Sequence, residues 1–205
     1  MIDLKGIRHI IFDLGGVILN IDYKLSAEAF KKLGANDFDE LYSQAKQSEL
    51  FDRLETGRIS LNDFRNEVRR IFEATWSDTE IDSAWNAMLL DLPPARIELL
   101  QELKKRYKIY LLSNTNQIHY DQYGGMLRER FGLNDLSEVF DKAYYSHEVG
   151  MRKPDAEVFE FVLNANAAEA NETLFIDDSI QHIEGAKRIG LETYHLREED
   201  ILGLF

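Results

Sequence analysis

Three apolar runs in this chain each stop at a polar residue capable of chemistry. Ile7 to Phe12, diluted at its start by Arg8 and His9, stops at Asp13. Ile109 to Leu112 stops at Ser113 and Asn114, and Thr173 to Ile176 stops at Asp177 and Asp178. Short continuous apolar runs bounded by turn residues read as strands buried on both faces, as in a parallel sheet. Parallel strands bring their carboxyl ends to one edge, and ligands of open α/β sheets bind at that edge. Two shorter strands are expected over Ala143–Ser146 and Thr193–Leu196. Helical patterns alternate with the strands from Ala95 onward, at Ala95–Arg106, Asn116–Phe131, Pro154–Ala165 and Ile183–Ile189, which again favours a parallel sheet.

Between the first strand and Ile109 the pattern is different. Asn20 to Tyr23 reads as a turn into helix. Ser26–Leu33 places Ala27, Phe30 and Leu33 on one face. Phe38–Leu54 carries Leu41, Ala45 and Leu50 or Phe51 at helical spacing. Ser60 caps a helix with Phe64, Val68, Ile71 and Phe72 as its stripe, and Asp78 or Thr79 caps another with Ile81, Ala84, Trp85 and Met88 inward. Pro93 and Pro94 mark the boundary that follows. The expected fold is therefore α/β: a Rossmann-like parallel-sheet core (residues 1–18 and 90–205) with helices on both faces. A helical cap, residues 19–89, is inserted after its first strand. A cap over the catalytic edge can exclude water and carry substrate contacts.

Charge narrows the partners. The 205 residues carry 24 basic and 37 acidic side chains, a net of −13. Such a surface repels nucleic acid and anionic membrane, and any phosphate site must build its own local positive charge. With no cysteine, disulfides, thiolate metal sites and cysteine catalysis are excluded. The start, Met1 to Gly6, does not read as a signal peptide. The apolar run after it is broken by Asp13 and too short to span a bilayer, so a cytoplasmic protein is expected, a monomer or homodimer.

The strand-end clusters, with Lys153 ahead of a helix beginning near Pro154, make a coherent phosphoryl-transfer site. A carboxylate, Asp13, can attack phosphorus once the phosphate is neutralised. Magnesium does this, and takes one or two carboxylates plus other oxygens. Asp13 and one of Asp177 or Asp178 supply the carboxylates, and the Gly15 backbone carbonyl another oxygen. The Ser113 hydroxyl, N–H groups near Asn114 and the Lys153 ammonium hold the phosphate oxygens. Taken singly, each cluster reads as well as a turn, a helix cap or a solvated side chain; the four together in this order are far more specific.

The motifs Phe12-Asp13-Leu14-Gly15-Gly16-Val17, Leu112-Ser113-Asn114-Thr115, Gly150-Met151-Arg152-Lys153-Pro154-Asp155 and Phe175-Ile176-Asp177-Asp178-Ser179 resemble the four motifs of the haloacid dehalogenase-like hydrolase superfamily. The resemblance spans essentially the whole chain and is strongest to its bacterial sugar-phosphate phosphatases of the α-glucose-1-phosphate phosphatase type. It implies a magnesium-dependent phosphatase of small phosphorylated metabolites, working through an aspartyl-phosphate on Asp13. It also implies Asp178 as the direct magnesium ligand and Asp177 as a ligand through water. Gly15 departs from the pattern, because most phosphatases of the superfamily carry there a second Asp that serves as acid and base. Asp22 is the expected substitute; a good leaving group such as an anomeric phosphate reduces the need, and a catalytically weak phosphate-binding protein is a further alternative. Metal-free haloacid dehalogenases also lack the second acid, but they have no use for paired metal-binding acids, and this chain retains Asp177 and Asp178.

Elsewhere the chemistry-bearing residues read as structural. His9, His119, His147, His182 and His195 are scattered without ligand spacing, and Trp76 and Trp85 read as cap core. Glu55 to Arg58 reads as a turn in which Arg58 is a possible substrate contact. Arg152 reads as a helper of Lys153 or the partner of a surface acid.

Overall fold

The apolar runs form the five strands of one parallel sheet in the computed structural model, which describes residues 2–35, 37–38, 42 and 49–205. The strands are β1 (His9–Phe12), β2 (Lys108–Ser113), β3 (Lys142–Tyr145), β4 (Thr173–Asp177) and β5 (Glu192–His195), in the order β3-β2-β1-β4-β5. Each lies within two residues of its expected place. Ladder pairing of β1 starts at His9, so the polar pair Arg8 and His9 straddles the strand's beginning.

Alternate residues along the strands face opposite sides, and both sides are covered. Ile10, Phe12, Ile109, Leu111, Leu174 and Ile176 pack with helices α5 (Pro94–Lys104) and α6 (Gln117–Phe131). Ile11, Tyr110, Leu112 and Phe175 pack with α8 (Ala156–Ala165) and α9 (Ile180–Arg188), while the short helix α7 (Ser146–Val149) follows β3. The fold class is thus the Rossmann-like α/β arrangement expected.

A third apolar cluster belongs to the helices between β1 and α5. These are α1 (Tyr23–Lys32), α2 (Leu50–Glu55), α3 (Leu61–Ile71) and α4 (Asp78–Asn86). Phe30, Leu50, Leu54, Phe64, Val68, Ile81 and Ala84 bury against one another, joined by Ile118 from α6. Ser60 caps α3 as expected, its hydroxyl accepting from the Asp63 N–H. The next helix begins one residue before the expected caps: Ser77 and Glu80 form a reciprocal capping box, so Asp78 is already helical. The expected helix over Phe38–Leu54 is seen at its end, as α2; Leu41 and Ala45 lie outside the described residues. Trp76 is core, its indole N–H donating to the Leu33 carbonyl at 3.0 Å. Among the described residues no helix is long and apolar enough to cross a membrane.

The two chain crossings into this helical layer are tied together. The Asn20 N–H donates to the Asp91 carbonyl (2.9 Å), the Leu90 N–H to the Asn20 carbonyl (3.0 Å), and the Asp22 N–H to the Met88 carbonyl (2.9 Å). Buried Arg96 donates to the Ile18 carbonyl and to Asn20, and pairs with Asp200 near the C-terminus.

A second joint is made by His119 on α6. Its ring stacks parallel on Trp85 of α4, centroids 5.6 Å apart, and its Nδ1 lies 2.8 Å from Asn86 Oδ1, an acceptor that fixes the proton on Nδ1. Burial pushes His119 down to about 3 from the ordinary 6.5. The unfolded chain takes up this proton below about 6.5 and the folded chain only near 3. The stability contributed by the neutral ring is therefore complete above 6.5 and drains away as pH falls, by up to about 1.4 kcal/mol per pH unit. Urea unfolding between pH 6.5 and 4.5 should show a shallower acid loss in His119→Gln than in the wild type.

Candidate active site

The sheet register brings the strand-end clusters together. Phe12 pairs with Leu111 on one side and Ile176 on the other, so Asp13, Ser113 and Asp177 stand at one edge, and the Asp13 N–H donates to the Ile176 carbonyl at 2.9 Å. Lys153 arrives from the loop after α7. Both of its backbone groups are held by Asn114: the Lys153 N–H donates to Asn114 Oδ1, and Asn114 Nδ2 donates to the Lys153 carbonyl, each at 2.9 Å. The Asn114 side chain is thus spent on positioning Lys153, which leaves only backbone N–H groups near it for the phosphate contact expected there.

The Lys153 ammonium is fully buried, 2.6 Å from Asp13 Oδ1 and 2.7 Å from Asp177 Oδ2. Burial alone would lower its pKa; the two carboxylates outweigh that and raise it. Asp177 has every reason to stay ionised. Burial pushes it up, but Lys153 and His182 more than compensate and hold it low. Its oxygens accept from Lys153, from the Ser179 N–H (2.7 Å) and from His182 Nδ1 (3.0 Å to each). Asp13 is different. Burial pushes it up to about 7, Lys153 pulls against that, and the Asp177 charge adds to the rise. Asp178 is likewise raised by burial and by Asp177.

Asp13, Asp177 and Asp178 offer oxygens all within 4.8 Å of one another. Three carboxylates against one ammonium leave this edge short of positive charge. An oxygen-rich cluster of that kind suits a hard divalent cation, and such a charge would bring Asp13 down into its ionised form. The residues therefore fit a metal of the magnesium type. Asp13 and Asp178 face the cavity and Asp177 does not. Gly16 makes room for this: its φ is +75°, and a Cβ there would stand 2.3 Å from Asp178 Oδ2.

The cavity above the cluster measures about 680 Å³. Asp13, Gly15, Ser113, Asn114 and Asp178 line its floor; Phe51, Glu55, Trp85 and Met88 come from the helical layer. Arg152, next to Lys153, crosses to that layer, where it pairs with Asp52 and stands 3.0 Å from Glu55. Asp52 is half exposed, as expected of a surface acid, whereas Glu55 lines the cavity. Gly57 (φ +65°) presses on α7 so closely that a Cβ would lie 2.4 Å from the His147 carbonyl oxygen.

The family model for haloacid dehalogenase-like hydrolases matches residues 7–190. The chain belongs to that family. It is 32% identical over 188 residues to a D-ribitol-5-phosphate phosphatase of Bacteroides thetaiotaomicron, covering 92% of this chain and 91% of the relative. A sesquiterpene phosphatase of Aspergillus oryzae is 30% identical, covering 92% and 89%. A crystal structure of a family enzyme from B. thetaiotaomicron, complexed with magnesium and inorganic phosphate, superposes with a TM-score of 0.85 at 35% identity, covering 97% of this chain and 99% of that one.

The space beyond Gly15 is where the family resemblance led a second acid to be expected. Ile21 occupies it: a Cβ on Gly15 would lie 3.0 Å from Ile21 Cδ1. Asp22 is turned elsewhere, as the N-cap of α1, its Oδ1 accepting from the Lys24 N–H at 2.9 Å. It does not line the cavity, although Tyr23 and Lys24 beside it do. A helix start has claimed the carboxylate that was expected to serve as substitute acid. Arg58 also points to local structure, its Nε donating to Thr56 Oγ1 at 2.7 Å, and it too is absent from the cavity wall.

The histidines are more engaged than their spacing suggested. His119 and His182 line the cavity, and His195 Nε2 lies 3.0 Å from the Asp178 carbonyl. The signal for His182 was present: five residues beyond Asp177, it returns from the first turn of the next helix to the strand end that precedes it. Glu55, read as part of a turn, and Trp85, read as cap core, both line the cavity. A C-terminal helical Glu has no distinguishing pattern in sequence.

Two substitutions check this reading. Asp22→Ala should cost about 1 kcal/mol of stability through the lost cap, with turnover unchanged; denaturant unfolding and steady-state rates read the two separately. Gly16→Ala should displace Asp178 and weaken divalent-cation affinity, measured by calorimetric titration with Mg²⁺, while the sheet stays folded.

Proposed function

We propose that this chain is a magnesium-dependent phosphatase of a small phosphorylated metabolite, a sugar or polyol phosphate, acting through an aspartyl-phosphate on Asp13. The observation that carries this is Asp13 itself: a buried carboxylate on the cavity floor, fixed by Lys153, beside a second cavity-facing acid, Asp178. The B. thetaiotaomicron ribitol-5-phosphate phosphatase and the magnesium–phosphate complex of a related enzyme support the same reading. A cavity of about 680 Å³ falls within the ~300–1,000 Å³ typical of small-molecule sites.

Magnesium would be held by Asp13, Asp178 and the Gly15 carbonyl, and would supply the positive charge that Asp13 and an anionic phosphate need to approach each other. The remaining work falls to the chain. Lys153 fixes the Asp13 carboxylate through Oδ1 and places a positive charge beside the attacked phosphorus. Ser113, buried at the floor, offers a hydroxyl to a phosphate oxygen, and the Asn114 N–H beside it offers a further donor, the Thr115 N–H being spent on Ser146. Asp177, closed off by its own partners, keeps Lys153 in place and charged. Attack by Asp13 displaces the alcohol; water then attacks the aspartyl-phosphate and returns the carboxylate.

Retention of the metal-type acid cluster argues against carbon–halogen displacement, which gains nothing from a cation. Phosphate release from a panel of sugar and polyol phosphates, with Mg²⁺ and with EDTA, tests the proposal. Release should require the metal and fall by several powers of ten in Asp13→Asn. Halide release from a 2-haloacid in EDTA would overturn it.

A further inference from the structure

Glu55 closes α2 at the cavity wall, opposite the Asp13 floor. Its Oε2 is shut off from solvent and accepts no hydrogen bond. Arg152 Nη2 is 3.0 Å away, but without hydrogen-bond geometry, and Arg152 makes its closer contact with Asp52. Burial pushes the Glu55 carboxyl up to about 7, with the Lys153 charge pulling against it. The Lys153 that feels Glu55 is the one bonded to Asp13. The position where a second acid would stand beside the nucleophile is filled by Ile21, and Asp22 caps a helix. A cavity acid whose carboxyl burial raises toward the protonated form even with Arg152 3.0 Å away, in an enzyme whose nearest alternatives are occupied, has one chemical use here.

Resting on the phosphatase reading above, we infer that Glu55 is the acid–base residue of this site. In the first half-reaction the Asp13 carboxylate oxygen bonds to phosphorus as the bond from phosphorus to the ester oxygen breaks. The departing oxygen takes the proton of the Glu55 carboxylic acid and leaves as the alcohol. In the second, the Glu55 carboxylate takes a proton from water as the water oxygen attacks the aspartyl-phosphate. The bond from Asp13 to phosphorus breaks, inorganic phosphate leaves, and Glu55 is again the acid. Arg152 lies where it can offset the carboxylate charge between the two steps.

Leaving-group chemistry separates this role from a structural one. An alkoxide needs a proton to leave; a nitrophenolate does not. In the full chain with Mg²⁺, Glu55→Gln should lower kcat for the best sugar or polyol phosphate by about 10²–10⁴-fold. With p-nitrophenyl phosphate the first step should be nearly unimpaired while hydrolysis of the phospho-enzyme slows. A burst of one equivalent of nitrophenol should therefore appear, with acid-stable label trapped on the protein. Glu55→Asp, which keeps the carboxyl, should recover part of the alkyl-phosphate rate and show a smaller burst. Parallel loss on both substrates without a burst, or full activity in Glu55→Gln, would overturn the assignment. A wild type that releases no phosphate from either substrate class would instead overturn the phosphatase reading beneath it, so the two failures are distinct.

Discussion

A buried ammonium between two buried carboxylates holds this site together. Lys153 Nζ has no contact with solvent, and Asp177 has none either. Removing either partner from such a group leaves a charge stranded in the interior, at a cost of about 3–5 kcal/mol, so the surrounding structure has to deliver all three residues at once. β1 and β4 are neighbours in the sheet, which sets Asp13 beside Asp177. Asn114, at the end of β2, clamps the Lys153 backbone from both sides. His182 and the Ser179 N–H complete the shell of Asp177. Three strand ends and two helix starts are thereby committed to one cation, and the polar residues at this edge depend on that commitment.

Lys153 and Arg152 divide the task of positive charge. The chain carries a net of −13, a field that opposes a phosphorylated substrate at a distance. Lys153 is committed to the acids of the sheet, Arg152 to Asp52 and Glu55 of the helical layer. Adjacent in sequence, they join the two walls of the cavity. Neither leaves a dense positive patch, which is why a metal is needed at the floor: with the protein charges alone, burial keeps Asp13 near 7 and a dianionic ester would meet a net negative site.

The sheet and its floor residues were legible because the interior of a parallel sheet demands unbroken apolar runs, and Asp13, Ser113 and Asp177 interrupt them at the same level. Lys153 gained meaning from its place between such runs. The wall was not legible. Asp22 and Glu55 are both acids at helix ends, and only tertiary placement distinguishes the one that caps from the one that faces the cavity. Ser77 rather than Asp78 or Thr79 is the cap because its hydroxyl accepts from the Glu80 N–H, a matter of backbone turn that periodicity does not carry. His119 was invisible for a related reason: its partners, Trp85 and Asn86, lie more than thirty residues away, on a helix that docks only in the folded chain.

Placing acid–base chemistry on the helical layer has a physical consequence. An acid two residues from the nucleophile travels with it and is present whatever the cap does. A carboxyl on α2 reaches the scissile oxygen only when that layer is seated on the sheet. The seat is made by Trp85 on His119, by Gly57 against the His147 carbonyl, and by Arg152 with its two acids; Trp85, His119, Arg152 and Glu55 border the cavity. Closure that excludes water would then also bring in the proton donor, and a phospho-enzyme formed with the layer open would lack its base. Ile21 fits this arrangement. It lies on the crossing strand, where Ile21 bridges Leu89 and Asp22 bonds to Met88, and it fills with hydrocarbon the space beside Gly15 that an acid would otherwise occupy. The loop after β1 is kept apolar beside Asp13, and on the inferred role of Glu55 the proton comes from the other wall.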